Sequence, residues 1–395
     1  MSGYMSTRQS VLYRLSPLTL FRISVGFALI AALWLVVASV RGEVIALAAA
    51  AAVFACAHVG RLLAGQRSTV VVEWGLAGYG MFAEFVVYAG IALAAGLHPA
   101  GQPGLAGNSL RETFVGSLGG AGAAGVWRLA VIAVILAVLT PMADLCVHGA
   151  SLSAVRQRPF GPPSDVRLPL ACLTVLVLGS RAAFLVVLVL GVAALGAAVI
   201  DGTRQPRDRG ELRGYRGDGR ISIWIGKWVD GRVPPLPPLV VGLLVTGVLT
   251  ALGLRNLPAI LLLTPVEAML LAAFASWHPH DGRSDWVVPP LLQAAEYVFI
   301  AEIGFVGRVW PPLTFAVVAA AGLRHLDLAY RVRGGLAAGI DRRGLGWEGR
   351  MIVVGIAAAV GFAPVAYAAL ALYLWWRVAR DWVVGWSARH APVNR

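Results

Sequence analysis

Two glutamates lie in apolar runs of a chain that is 58% hydrophobic and only 13% charged. Glu84 falls in "EWGLAGYGMFAEFVV" (Glu73 to Val87) and Glu296 in "DWVVPPLLQAAEYVF" (Asp285 to Phe299), each ten residues after a Trp, Trp74 and Trp286, that itself follows an acid. A carboxylate in hydrocarbon is costly, so such a residue marks a proton relay, an ion or substrate contact, or a bond to a neighbouring helix. Glu302 and Glu267 are further intramembrane acids, and Asp144 and Asp327 end their apolar runs. In "RHLDLAYR" the residues Arg324, Asp327 and Arg331 share one helical face at spacings of three and four, while His325 lies off it. Two readings compete there. One is a local ion-pair ladder. The other is a phosphate head-group pocket built from Arg324, Arg331 and Arg350, with Arg167 in the matching place of the first half and Lys227 or Arg232 nearby, because a guanidinium fork matches phosphate oxygens. Glu296, His325, Asp327 and Glu348 are the candidate acids and bases for any catalysis.

Other combinations carry less chemistry. "HPHDGRSDW" groups His278, His280, Asp281 and Asp285, but no second cluster at ligand spacing accompanies it, and a helix-ending turn accounts for it better than a metal. No nucleophile elbow, phosphate-binding Gly loop or dinucleotide fingerprint occurs; "GSLGGAGAAG" lacks the Lys and the preceding strand. Cys56, Cys146 and Cys172 are far apart and read as small buried hydrophobes. No metal and no cofactor is expected.

The elements that position these residues are membrane helices. Apolar runs long enough to cross a bilayer recur, so the chain reads as an all-α polytopic bundle of about twelve spans. The spans fall near 18–40, 44–64, 70–95 and 127–147, then in 168–200, which is too long for one helix and breaks at "GSR" (179–181) into a short or tilted span and a full one. Six more follow near 239–254, 257–277, 286–306, 311–330, 351–361 and 363–384. Between the two sets, 201–232 holds eight basic and five acidic residues and leads into "VPPLPP". Within this connector "ISIWIGKWV" reads either as plain linker or as a segment lying flat at the interface through Trp224 and Trp228. The domains expected are 1–200, a charged linker 201–235, and 236–395. With a cytoplasmic N-terminus the Arg-rich loops all fall inside, leaving mostly single arginines outside, so both termini are expected in the cytoplasm of an inner-membrane protein. A basic stretch, a long apolar run and no small-residue cleavage site suggest that the first span is retained.

The matched glutamates belong to a longer correspondence. Trp74 and Glu84 align with Trp286 and Glu296 at an offset of 212, whereas Trp127, Asp144, Asp165 and Arg167 align with Trp310, Asp327, Glu348 and Arg350 at an offset of 183. The Gly-rich loop 96–126 absorbs the difference. Matched Trp, acid and Arg positions are costly in a membrane, so they indicate internal duplication, and six spans per half make the repeats parallel.

A six-span unit with an acid-aromatic pair in its third span, then "YAGIALAAG" and a span opening "WRLAV", resembles the CDP-alcohol phosphotransferases of actinobacteria. The second half, with "HPHDGRSDWVVPPLLQAAEY", "RHLDLAYRVR" and "GLGWEGRM", resembles the uncharacterised membrane domain that often follows such a transferase. Together these cover nearly the whole chain. The family signature, D-x-x-D-G-x-x-A-R, eight residues, then G-x-x-x-D-x-x-x-D, implies four carboxylates holding divalent metal against a pyrophosphate. Here the pattern fails: between Val44 and Val72 there is no Asp or Glu, the later acids would fall near Leu76 and Gly80, and their second-half equivalents are near Val288 and Leu292. Neither copy can build that metal cage.

The resemblance therefore implies a catalytically silent relative that binds lipid or phosphate as a partner in envelope phospholipid synthesis. Two alternatives stand beside it. One is an active lipid head-group transferase working through second-half residues; the other is a twelve-span transporter or flippase. The net charge of +13 lies mostly in loops, which points to anionic membrane lipid and not to nucleic acid. A phosphotransferase or other envelope-synthesis protein, or a second copy of the chain, is the expected protein partner.

Overall fold

In a computed structural model the described residues are 17–37, 39–64, 70–98, 122–148, 164–204, 219–229, 236–255, 260–277, 285–333 and 345–390. They form thirteen α-helices and no strand. The helices are α1 (Pro17–Val37), α2 (Val40–Ala64), α3 (Val70–Leu97), α4 (Gly122–His148), α5 (Ser164–Leu178), α6 (Ser180–Arg204), α7 (Arg220–Val229), α8 (Leu236–Arg255), α9 (Ile260–Trp277), α10 (Val288–Val306), α11 (Pro311–Arg333), α12 (Trp347–Ala359) and α13 (Ala363–His390). A 3₁₀ turn, Asp285–Val287, leads into α10.

Seven segments within these helices are long and apolar enough to cross a membrane: Thr19–Val37, Arg41–Gly60, Ala77–Leu97, Gly122–Val147, Ser180–Arg204, Asp285–Val306 and Pro311–Arg331. Val166–Leu178, Leu236–Leu252 and Ile260–Phe274 are apolar but shorter. The fold is thus an all-helical polytopic bundle. The expected span 351–361 lies in a helix of only 13 residues, which at about 1.5 Å per residue reaches only about two-thirds of a 30 Å hydrocarbon core. The last helix has 28 residues, but Arg377, Arg380 and Asp381 interrupt its apolar run.

The chain divides into two compact units, residues 1–204 with 329–337, and residues 205–328 with 338–395. In the first, α1 packs on α2 and α3, α2 on α5, and α4 on α6. Close approach there depends on small residues: a Cβ on Gly90 would stand 2.7 Å from the Ala32 Cα. That is how helices associate when lipid supplies no hydrophobic drive between them. The core holds Phe21, Tyr88, Ile91, Met142, Leu168 and Phe184, while Leu29, Leu33, Val189 and Val192 are exposed, as lipid-facing side chains are. The break expected at 179–181 is present: Gly179, at φ 93°, separates α5 from α6.

In the second unit α8 packs on α9 and α10, α7 on α9, and α12 on α9, α10 and α13. Pro265 inside α9 has no N–H to give the Leu261 carbonyl. Gly355 of α12 packs against that same carbonyl, where an added Cβ would lie 2.8 Å from the oxygen. The turn between α12 and α13 places Gly361 at φ 79°. Its N–H bonds to Ala358 O (3.2 Å) and that of Phe362 to Ala357 O (2.7 Å), the paired bonds of a glycine-terminated helix end.

Candidate functional site

Glu296 and Tyr297 are neighbours on α10, about 100° apart around the helix, so they address two different helices. Glu296 takes Arg350 of α12, the fourth residue of that helix. Arg350 Nε donates to Glu296 Oε1, and Nη2 donates to Oε2 at 3.0 Å. Arg350 Nη1 donates to the Leu345 carbonyl at 2.8 Å, and Nη2 also reaches His325 Nε2 at 2.8 Å. A guanidinium nitrogen cannot accept, so Nε2 carries the lone pair and the proton sits on Nδ1. That proton is donated to the Tyr297 hydroxyl, 2.6 Å away. His325 is therefore neutral and oriented from both sides. All four side chains are buried. The arrangement is a charge-compensated network: the fork-to-carboxylate bond neutralises both ions, and His325 and Tyr297 extend it across α10 and α11.

The first unit carries a simpler version. Arg167, the fourth residue of α5, stands with Nε 3.0 Å from Glu84 Oε1, though its N–H is not aimed at that oxygen. Its Nη2 donates to Oε2 at 3.4 Å, and the Tyr88 hydroxyl donates to Oε1 at 3.4 Å. Both pairs join the residues matched at offsets 212 and 183. A second matched contact accompanies them. Tyr88 packs edge-on against Phe184 (6.0 Å between centroids), and at the corresponding positions the Tyr367 hydroxyl bonds to the Ile300 carbonyl. The positions matching Tyr297 and His325 are Phe85 and Met142, both buried. The first unit thus fills with apolar side chains the place where the second builds a polar relay.

The remaining candidates are dispersed. Arg324 donates from Nη1 to Asp381 Oδ2 of α13 at 3.0 Å, and Arg377 Nη2 lies 3.8 Å from the same oxygen. The guanidiniums of Arg167, Arg324 and Arg350, expected at a phosphate, are thus each held by a carboxylate. Asp327 and Arg331 are buried, and Asp144 is partly so. Glu348 does not join the network: it caps α7, accepting from Ile221 N (2.9 Å), Ser222 N (2.6 Å) and Ser222 Oγ (2.6 Å). Glu302 is exposed on α10, and Glu267 accepts from Thr246 Oγ1 at 2.8 Å. Trp127 is buried whereas its match Trp310 is exposed. Cys146 and Cys172 are buried and Cys56 is partly so. His278, His280, Asp281, Arg232 and the loop "GSLGGAGAAG" lie wholly or mainly outside the described residues, as do the side chains of Trp74 and Asp165. Among the described residues no three His, Cys, Asp or Glu side chains gather at metal-binding distance.

Tyr297, Tyr88, Asp381 and Arg377 were not singled out from sequence. Tyr297 had a signal, since it stands beside Glu296 where the first half has Phe85. Asp381, an acid in the basic last helix four residues after Arg377, had a weaker one.

These features define a polytopic helical membrane protein with buried ion pairs and a polar network in its second unit. A family model described as "Family of unknown function (DUF5941)" matches residues 209–394. The match begins in the connector and takes in α7 and every later helix; its description assigns no activity. No curated protein and no solved structure matches the chain.

Proposed function

We propose that this chain is a catalytically silent membrane protein of CDP-alcohol phosphotransferase-like type, binding lipid or phosphate as a partner in envelope phospholipid synthesis. In this reading it has twelve spans in two parallel six-helix repeats, sits in the inner membrane and keeps both termini in the cytoplasm. The observation that supports it is the use made of the matched acids. Glu84 and Glu296 are carboxylates kept at matching places in the third span of each half, and each is engaged by an arginine of its own unit. A carboxylate so neutralised is a poor ligand for a divalent cation. The correspondence of both ion pairs and of the 88/184 and 300/367 contacts supports the repeat. Anionic lipid is the ligand that the basic loops favour.

The test uses purified full-length protein in lipid nanodiscs, supplied with labelled CDP-alcohol, magnesium and acceptor alcohol. No turnover is expected, together with phospholipid retained through purification and detected by native mass spectrometry. Turnover overturns the silent reading, and Glu296→Gln and Asp327→Asn then locate the active site. Protein that retains no lipid overturns the binding role.

A further inference from the structure

Helix α7 has its faces the wrong way round for water. Gly219, just ahead of it, and Ser222 and Gly226 recur at spacings of three and four, and these small residues are buried in the second unit. The large apolar residues point outward: Ile221, Ile223, Trp224 and Trp228 are all exposed, the two tryptophans at 61% and 78%. Their rings pack edge-on, 6.1 Å between centroids. Arg220 and Lys227 are exposed beside them.

The helix is also fastened down. Glu348 accepts three bonds from Ile221 and Ser222, which satisfies N–H groups of the first turn and places an anion at the positive end of the helix. Ser222 Oγ lies 3.2 Å from the Met269 carbonyl of α9. There is no space for a side chain at Gly219, where a Cβ would fall 1.9 Å from Glu348 Cδ. So the outward tryptophans are presented by a docked element.

We propose that α7 is an interfacial anchor, lying in the headgroup–acyl boundary of the bilayer with the Trp224–Trp228 pair inserted and Arg220 and Lys227 among the lipid phosphates. Two observations favour lipid over a protein partner. The chain keeps α7 within reach of the boundary, since Val229 is only seven residues before Leu236, the start of the apolar α8. At about 3.5 Å per residue that link spans no more than about 25 Å. Its outward composition, tryptophan with cations at its rim, is also that of membrane-interface segments. This goes beyond the function proposed above: a silent, catalytic or transporting protein would carry such an anchor equally well.

The experiment is site-directed spin labelling of the full-length chain, with Cys56, Cys146 and Cys172 replaced by Ala. Single cysteines are placed at 224 and 228, with 223 as a further outward position should either variant fold poorly. Labelled protein goes into nanodiscs of phosphatidylcholine with a minor fraction of phosphatidylglycerol. Collision rates with oxygen, which partitions into lipid, and with a nickel chelate, which stays in water, are then read for each label. Oxygen collisions exceeding nickel collisions at 224 and 228 are the expected result. Nickel dominating at both positions places the helix in water and overturns the proposal. Labels reached by neither reagent are covered by protein, which overturns it in favour of a protein partner or a second copy.

Discussion

The contrast between Tyr297–His325 and Phe85–Met142 makes a quantitative prediction. Tyr297→Phe leaves the His325 Nδ1 proton without its acceptor. His325→Met removes two bonds, the one to the Tyr297 hydroxyl and the one from Arg350 Nη2. The double variant rewrites the first unit's pair into the second and removes the same two bonds. A buried polar group without a partner costs about 1–3 kcal/mol in water-soluble proteins, and hydrogen bonds between membrane helices are worth less, about 0.6 kcal/mol on average. The Tyr297–His325 bond is lost in both single variants but only once in the double, so the sum of the singles should exceed the double by about 0.5–1.5 kcal/mol. The assay is reversible unfolding in mixed micelles, followed by circular dichroism for wild type, both singles and the double. Contacting residues couple by about 0.5–3 kcal/mol, whereas independent ones add within about 0.5 kcal/mol. A coupling indistinguishable from zero refutes the hydrogen-bonded tautomer. A double variant that fails to fold refutes the correspondence between Phe85–Met142 and Tyr297–His325.

Removing one partner of a buried pair should cost more: Arg350→Met leaves Glu296 uncompensated and destabilises by about 3–5 kcal/mol, while Glu296→Met with Arg350→Met recovers most of that in the same assay. Arg167→Met should cost less than Arg350→Met, because Arg167 makes fewer and longer bonds to its carboxylate. Gly219→Val pushes the Glu348 carboxylate off α7, and hydrogen exchange should show protection lost across 220–229 but kept in α10 and α11. Gly355→Ala drives a methyl against the Leu261 carbonyl and separates α9 from α12, at a cost of about 1–3 kcal/mol in thermal unfolding.

How much of this was legible in the sequence varied with the distance between partners. Helix positions and the break at Gly179 could be read from apolar runs and local punctuation. Glu84 with Arg167 and Glu296 with Arg350 were visible as matched positions, because ionisable residues are sparse enough in such a chain for their spacing to carry information. That each glutamate meets its arginine was not visible, since it requires α3 to neighbour α5 and α10 to neighbour α12. Arg324 shows the limit most clearly. Its spacing to Asp327 suggested a ladder along one helix, but nothing in that spacing pointed to the carboxylate 57 residues on, at Asp381, which it meets at 3.0 Å. The bonds Glu348 accepts from the start of α7 were hidden for a similar reason, since sequence reading could equally take that segment for linker.

The buried ion pairs themselves need a reason, because taking two charges out of water generally costs what their attraction returns, and apolar residues of similar size can serve stability as well. Their placement supplies one. Arg167 and Arg350 are both the fourth residue of a short helix, α5 with 15 residues and α12 with 13. A helix too short to span the hydrocarbon has no hydrophobic length with which to fix its depth, and several registers along its neighbour bury similar apolar area. A single arginine-carboxylate bond to the longer helix beside it removes that freedom, since any slip strands two charges. Tyr88 and Phe184, like Tyr367 and Ile300, make contact beside the pair without being charged, and both units retain the pair while the residues matching Tyr297 and His325 differ. The paired-hydrophobe variant of Glu296 and Arg350 separates the two roles. It should unfold at nearly the wild-type denaturant concentration, yet give broadened distance distributions between labels on α10 and α12. A single sharp distance in that variant would show that packing alone sets the register.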